Sequence, residues 1–187
     1  MSEAARPFVI GLGANLGERR QTLISAVRAL SAAGRVRVVS NLYETVPVGP
    51  PQPGYLNAAV LLDSVLTPLQ LLEQLLAIEH AHGRERRERW GPRTLDLDIL
   101  HSPDLVLAEP ALTLPHPELV HRTFALAPLL DVLPDARDAR SGAAYADAFA
   151  SLSTAGLRRL ETSASWCPLA AETPAPSDSS APAPTHS

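Results

Sequence analysis

Apolar positions along the chain follow strand-like and helix-like periods in turn. FVIGLG at 8–13 is a short apolar run that ends in glycine and predicts a buried first strand. GANLG then turns the chain, with Asn15 placed to cap the next helix. From Glu18 to Ala33, Leu23, Ile24, Val27 and Leu30 recur at helical spacing, and Gly34 stops the helix. RVRVVSNLYET at 35–45 has the β-branched content and partial alternation of a second strand. VPVGPPQPG at 46–54 holds four prolines and two glycines and predicts a stiffened loop. YLNAAVLLDS at 55–64 reads as a third strand. TPLQLLEQLLAIEHAHG at 67–83 predicts a helix with Thr67 as N-cap, Pro68 in the first turn and Gly83 at the end. An arginine-rich loop leads to a fourth strand, TLDLDIL at 94–100.

The order β-α-β-β-α-β predicts an α+β, ferredoxin-like antiparallel sheet with helices packed on one face. A C-terminal helical extension follows: a turn and short helix within 115–136, then a further helix or two between 143 and 160. From Thr162 onward the chain is rich in Pro, Ala and Ser and is expected to be disordered. One domain over 1–161, with a tail at 162–187, is the expected organisation.

Composition narrows the chemistry. The hydrophobic fraction of 45% suits a globular core, and with aromatics at 4% that core must be aliphatic. A net charge of −4 argues against a nucleic-acid or anionic-membrane surface. The run of eighteen or so apolar residues that spans a bilayer is absent. Cys167 is the single cysteine, and no N-terminal signal segment is read, so a cytoplasmic setting is expected. All sixteen basic residues are arginine. A P-loop lysine and a Schiff-base lysine are therefore excluded, and phosphate would have to be met by arginine, histidine, backbone amides or metal.

The densest candidate chemistry lies in RWGPRTLDLDIL at 89–100. With a side-chain period of two, Asp96 and Asp98 share one strand face while Leu95, Leu97 and Ile99 share the other. Two adjacent carboxylates repel unless a cation lies between them, and Mg²⁺ takes such carboxylates together with water and substrate phosphates. Arg84, Arg86, Arg87, Arg89 and Arg93 stand immediately upstream. Arg84 and Arg93 are favoured as phosphate contacts, because Arg93 abuts the aspartate strand and Arg84 opens the loop. Trp90, in a loop with Gly and Pro, could close over a ligand. His116, held between Pro115 and Pro117, suits a fixed phosphate contact, whereas His121 reads as surface. Tyr55 and Asn57, two apart on one strand face, would suit a planar heterocycle; closing a turn fits them equally well.

Together, GLGANLG, YETVPVGPPQPGYLNAAV, GRERRERWGPRTLDLDIL and LPHPELVHRTFALAPL closely resemble the 6-hydroxymethyl-7,8-dihydropterin pyrophosphokinases of folate biosynthesis, over about residues 7–135. The resemblance implies a ferredoxin-like fold and transfer of the β,γ-diphosphate of ATP to the 6-hydroxymethyl oxygen of the dihydropterin, releasing AMP. It implies ATP as co-substrate and two Mg²⁺ ions on Asp96 and Asp98, with Arg84 and Arg93 as catalytic loop arginines. ATP contacts are implied for Glu79, Trp90, Ile99, His116 and Arg122. Pterin contacts are implied for Thr45, Pro47, Val48, Gly49, Tyr55, Asn57 and Phe124, with Tyr55 and Phe124 as a sandwiching aromatic pair. A monomer that works on these small molecules, without nucleic acid or membrane, is expected. Ala14 stands where the resemblance leads one to expect Ser, and Leu76 carries no implied role. No side chain stands out as a general base, so positioning and electrostatics are the expected means of catalysis. An RNA-binding sheet and a metal-dependent phosphohydrolase are the competing readings. Asp96 and Asp98 on the open strand oppose the first, and the aromatic and Pro-rich loops oppose the second.

Overall fold

The computed structural model describes residues 4–46, 53–83 and 94–168. Its first strand, β1 (Arg6–Ala14), lies in the middle of a six-stranded antiparallel sheet. The chain turns through Gly17 into α1 (Arg19–Ala29), which tightens into a single 3-10 turn at Leu30–Ala32. Asn15 is buried rather than capping, and α1 starts after Glu18 with no side-chain cap.

The single strand expected at 35–45 is two strands, β2 (Arg35–Val39) and β3 (Leu42–Thr45), both paired with β4 (Tyr55–Ser64). The break has a local cause. Ser40 is buried; its Oγ accepts from Ala59 N–H at 2.8 Å and donates to Asn41 O at 2.7 Å. Asn41 N–H is drawn to Asp131 instead, at 3.0 Å. The Ser-Asn pair thus satisfies its backbone partly outside the ladder.

Helix α2 (Pro68–Ala81) begins as the sequence predicts. Thr67 Oγ1 accepts from Gln70 N–H at 3.3 Å while Gln70 Oε1 accepts from Thr67 N–H at 2.9 Å, a reciprocal capping box. Strand β5 (Asp96–His101) then pairs with β1. The sheet order β5-β1-β4-β3, with β2 also on β4, is the ferredoxin-like order of two split β-α-β units. Helices α1 and α2 cover one face, where Phe8, Ile10, Leu23, Val27, Leu71 and Leu75 close the larger core.

The C-terminal extension is richer than a helical add-on. A two-stranded ribbon, β6 (Leu107–Glu109) and β7 (Leu112–Leu114), precedes a 3-10 turn at Leu119–His121 and α3 (Thr123–Val132). Helix α3 packs on the opposite face of the sheet, where Leu126 and Leu129 meet Val9, Ala59, Leu61 and Leu100. After α4 (Tyr145–Ser151) comes β8 (Leu157–Glu161), which joins the main sheet beside β3 where only helix was expected.

Residues 163–167, within the stretch expected to be disordered, pack against the body of the fold, and residues 169–187 of that stretch lie outside the described residues. The helical turn α5 (Ser163–Trp166) buries Trp166 and Cys167 completely, and Trp166 Nε1–H donates to Ser40 O at 2.8 Å. One large indole, buried with its N–H satisfied, outweighs the polar composition around it. Among the described residues no helix is long and apolar enough to cross a membrane.

Candidate functional site

The face of the sheet carrying α3 is only partly covered. Helix α3 rests on Ala59, Leu61 and Leu100, and toward the other end of the same face lies an open cleft of about 440 Å³, solvent-filled mouth included. Register explains its floor. Gly13 stands directly between Asn57 of β4 and Asp96 of β5, and Gly11 stands opposite Asp98. A side chain at either glycine would rise into the space between these groups. A Cβ on Gly13 would meet Asn57 Oδ1 at 3.7 Å and Asp96 Cβ at 3.8 Å, and one on Gly11 would meet Leu100 Cδ1 at 2.9 Å. Glycine at both positions leaves the floor bare, and at Gly11 a Cβ would also crowd Leu100.

Asn57, Asp96, Asp98, His116, Arg122 and Phe124, six of the residues expected at the site, line this cleft. Asp96 and Asp98 share the face, as their spacing predicts. The oxygen-only pair fits a hard divalent cation that keeps water and phosphate among its ligands. Among the described residues no group of three or more His, Cys, Asp and Glu forms a ready cage for a metal.

His116 is held beside the aspartates by its own N–H, which donates to Leu100 O at 2.9 Å. Its Nδ1 accepts from Glu118 N–H at 3.2 Å, so the neutral ring carries its proton on Nε2. Burial pushes the imidazole below its ordinary range; Asp98 and Asp96 pull it up and Arg122 pushes it down. A neutral ring with its donor on Nε2 can serve a phosphate oxygen. Arg122 precedes α3, its guanidinium carbon 5.9 Å from the centroid of the Phe124 ring. That ring is 38% exposed, an apolar surface at the cleft able to stack on a ligand.

On the β4 side, Asn57 Nδ2 donates to Thr45 Oγ1 at 3.0 Å and makes a longer contact of 3.4 Å to Tyr55 O. These bonds orient the amide so that Oδ1 lies toward Gly13. Thr45 and Tyr55 are a cross-strand pair on the same face, just beyond the cleft lining. Glu79 and Ile99, expected as ATP contacts, are not among the residues that line this cleft. Ile99 is 2% exposed and faces the core under α1 and α2. Glu79 is 1% exposed and accepts from Leu97 N–H at 2.7 Å, satisfying an amide of the edge strand β5. Pro47, Val48, Gly49, Arg84, Arg86, Arg87, Arg89, Trp90 and Arg93 lie outside the described residues.

Sequence reasoning passed over Gly11 and Gly13, and over Leu119 and Ala125, which also line the cleft. The signal was present in GLG: two glycines at strand spacing leave one face without side chains.

Comparison with known proteins gives a consistent picture. The model of the 7,8-dihydro-6-hydroxymethylpterin-pyrophosphokinase (HPPK) family matches residues 9–134. A Synechocystis protein named 2-amino-4-hydroxy-6-hydroxymethyldihydropteridine pyrophosphokinase is 45% identical over 136 residues, covering 72% of this chain and 70% of its own. A Methylorubrum extorquens protein of the same name is 41% identical over 155 residues, covering 81% and 97%. Among solved structures, the HPPK-DHPS of Plasmodium falciparum with STZ-DHP superposes with a TM-score of 0.64 at 15% identity, a likeness of fold. The match covers 79% of this chain and 45% of that one.

Proposed function

The chain belongs to the 7,8-dihydro-6-hydroxymethylpterin-pyrophosphokinase family, and we propose that the cleft over Gly11 and Gly13 is where its two substrates meet. The reaction is transfer of a pyrophosphoryl group from ATP to the hydroxymethyl group of hydroxymethyldihydropterin, in folate biosynthesis. The hydroxymethyl oxygen bonds to the β-phosphorus, the bond from that phosphorus to the oxygen bridging to the α-phosphate breaks, and AMP leaves with that oxygen. The hydroxyl proton is lost in the exchange.

The observation that carries the reading is the meeting of Asn57, Asp96, Asp98, His116, Arg122 and Phe124 over one glycine floor, although they come from β4, β5 and the segment around α3. Asn57 and Phe124 supply an oriented amide and an exposed ring, the pair a flat, hydrogen-bonding heterocycle needs. Tyr55, with Thr45 beside it, would close on the other side of that ring. His116 Nε2–H and the Arg122 guanidinium donate to phosphate oxygens. Asp96 and Asp98 would hold Mg²⁺, which when bound offsets negative charge on the triphosphate. Arg84 and Arg93 would add positive charge from the arginine-rich segment, and Trp90 would cover the nucleotide.

This reading assigns removal of the hydroxyl proton to no particular side chain. The chain's contribution is to aim two substrates and to stabilise charge. A product assay tests this directly: protein, ATP, Mg²⁺ and 6-hydroxymethyl-7,8-dihydropterin, scored for AMP and pterin diphosphate. Pterin-dependent AMP is expected, reduced by about 100-fold or more in Asp96→Ala and in Asp98→Ala. Unimpaired turnover in either variant would remove that carboxylate from the site. ATP hydrolysis without pterin would favour a phosphohydrolase.

A further inference from the structure

The two arginines that open α1 are in an electrostatically poor place. Cations near a helix N-terminus face the positive end of its dipole, and α1 has no acidic residue in its first turn. Their positions are explained by what they reach. Arg20 donates to both oxygens of Glu161, at 3.0 and 3.2 Å, and to Ser165 O at 3.0 Å, tying α1 to the C-terminal segment. Arg19 reaches the opposite way. Its Nη1 donates to Gly54 O and lies 3.4 Å from Glu44 Oε1. Glu44 also accepts from Arg158 Nη2 of β8 at 2.7 Å.

Glu44 immediately precedes Thr45, and Gly54 immediately precedes Tyr55. One guanidinium thus joins the end of β3 to the start of β4, next to two of the proposed pterin contacts. The joint is close-packed: a Cβ on Gly54 would meet Thr45 O at 3.1 Å and Glu44 Oε1 at 3.4 Å. Beyond it, Thr45 and Tyr55 pair across the strands, and both accept from Asn57 Nδ2. The contacts run without a gap from Arg19, through Glu44 and Gly54, to the amide in the cleft.

We infer that Arg19 is a positioning residue for the heterocycle: with Glu44 it sets the separation of Thr45 and Tyr55, and through them the aim of Asn57. The inference rests on the pterin-and-ATP reading of the cleft. Arg19 need not touch either substrate. Both contacts go through Nη1, whose two hydrogens are fixed in the guanidinium plane, whereas a lysine ammonium is a rotating point charge. The Arg19 and Glu44 side chains are 28% and 26% exposed, so the ion pair by itself adds little to stability. Its contribution is alignment of the amide that meets the heterocycle, since a hydrogen bond weakens steeply as its angle departs from linear.

The test compares wild type, Arg19→Ala, Arg19→Lys and Glu44→Gln. Binding of 6-hydroxymethyl-7,8-dihydropterin is titrated in the presence of Mg²⁺ and α,β-methylene ATP, whose α–β linkage cannot be cleaved. Binding of that ATP analogue alone, thermal unfolding, and KM and kcat with ATP are measured beside it. In Arg19→Ala, pterin Kd and KM are expected to rise about tenfold. ATP-analogue binding and kcat at saturating pterin should stay near wild type, and Arg19→Lys should recover part of the loss. Glu44→Gln should weaken pterin binding in the same direction by less, and it decides the matter if Arg19→Ala does not fold. Unchanged pterin binding in the folded variants overturns the inference. So does an equal loss of pterin and nucleotide binding with a lower melting temperature, the mark of a general structural role. Wild type that binds nucleotide but no pterin overturns the site reading itself.

Discussion

At the scale of single residues, Gly13 separates function from stability most cleanly. Its neighbours leave a Cβ at ordinary contact distance, so Gly13→Ala should fold. Replacing glycine in a strand reduces the freedom of the unfolded chain, and stability should hold or rise by up to about 1 kcal/mol. The added methyl nevertheless occupies the floor between Asn57 and Asp96. Pterin-dependent AMP formation is expected to fall about tenfold, roughly 1.4 kcal/mol of lost binding. Steady-state kinetics and urea denaturation on the same preparation check both halves. A variant that loses stability and activity together would make Gly13 a folding residue only. Asp96 and Asp98 could be read from the chain because a strand's period is two. Asn57 could be placed on a face but not aimed, because its orientation depends on Thr45 of a different strand.

At the scale of elements, α2 and β4 follow from local rules, while the C-terminal segment does not. The Thr67–Gln70 capping box and the apolar period of 67–81 define α2 without reference to other elements. Ser163–Trp166 has a composition that suggests disorder, yet its Trp166 is wholly buried and bonded to Ser40 O. Trp166→Ala should therefore cost about 3–5 kcal/mol, from lost burial and the cavity left behind. Denaturation midpoints report this, and an unchanged midpoint would mean the segment is not anchored. Strand β8 was legible only as a weak helix because its pattern is mostly exposed; an edge strand owes its place to the ladder it joins, here β3.

At the scale of the whole molecule, the second core under α3 makes stability depend on pH. His101 is buried at the end of β5, its ring edge-to-face with Tyr145 at 5.3 Å and its Nδ1 without a hydrogen-bond partner among the described residues. Burial pushes its imidazole below the ordinary range, and Asp138 and Asp104 pull it back only in part. The unfolded chain accepts a proton there near pH 6.5, the folded chain at lower pH. Below about pH 6.5 the unfolded state therefore binds more protons, so stability is full above that value and falls as pH drops through the folded pKa. His116 shifts in the same direction. Glu44, Glu161 and Asp138, all held below the usual carboxylate range, act at lower pH, where their stabilising contributions are lost as they protonate. Unfolding free energy measured between about pH 7.5 and pH 5.5 should decline, with a shallower slope in His101→Leu. An equal slope would exclude His101 as a source.

The sequence by itself determined the β-α-β-β-α-β plan of the core, its second strand unbroken, together with the ferredoxin-like class, the start of α2 and the shared face of Asp96 and Asp98. Each of these depends on period, caps and turns within a few neighbouring residues. Only the tertiary structure decided that β2 and β3 are separate strands, that β8 and Trp166 belong to the body of the fold, and that Glu79 serves the amide of Leu97. It also decided that Gly11 and Gly13 form the floor. Those outcomes depend on which strand becomes the neighbour of which, and on where a helix more than a hundred residues downstream comes to rest. Local patterning gives a residue its face; the register between distant strands gives that face something to meet.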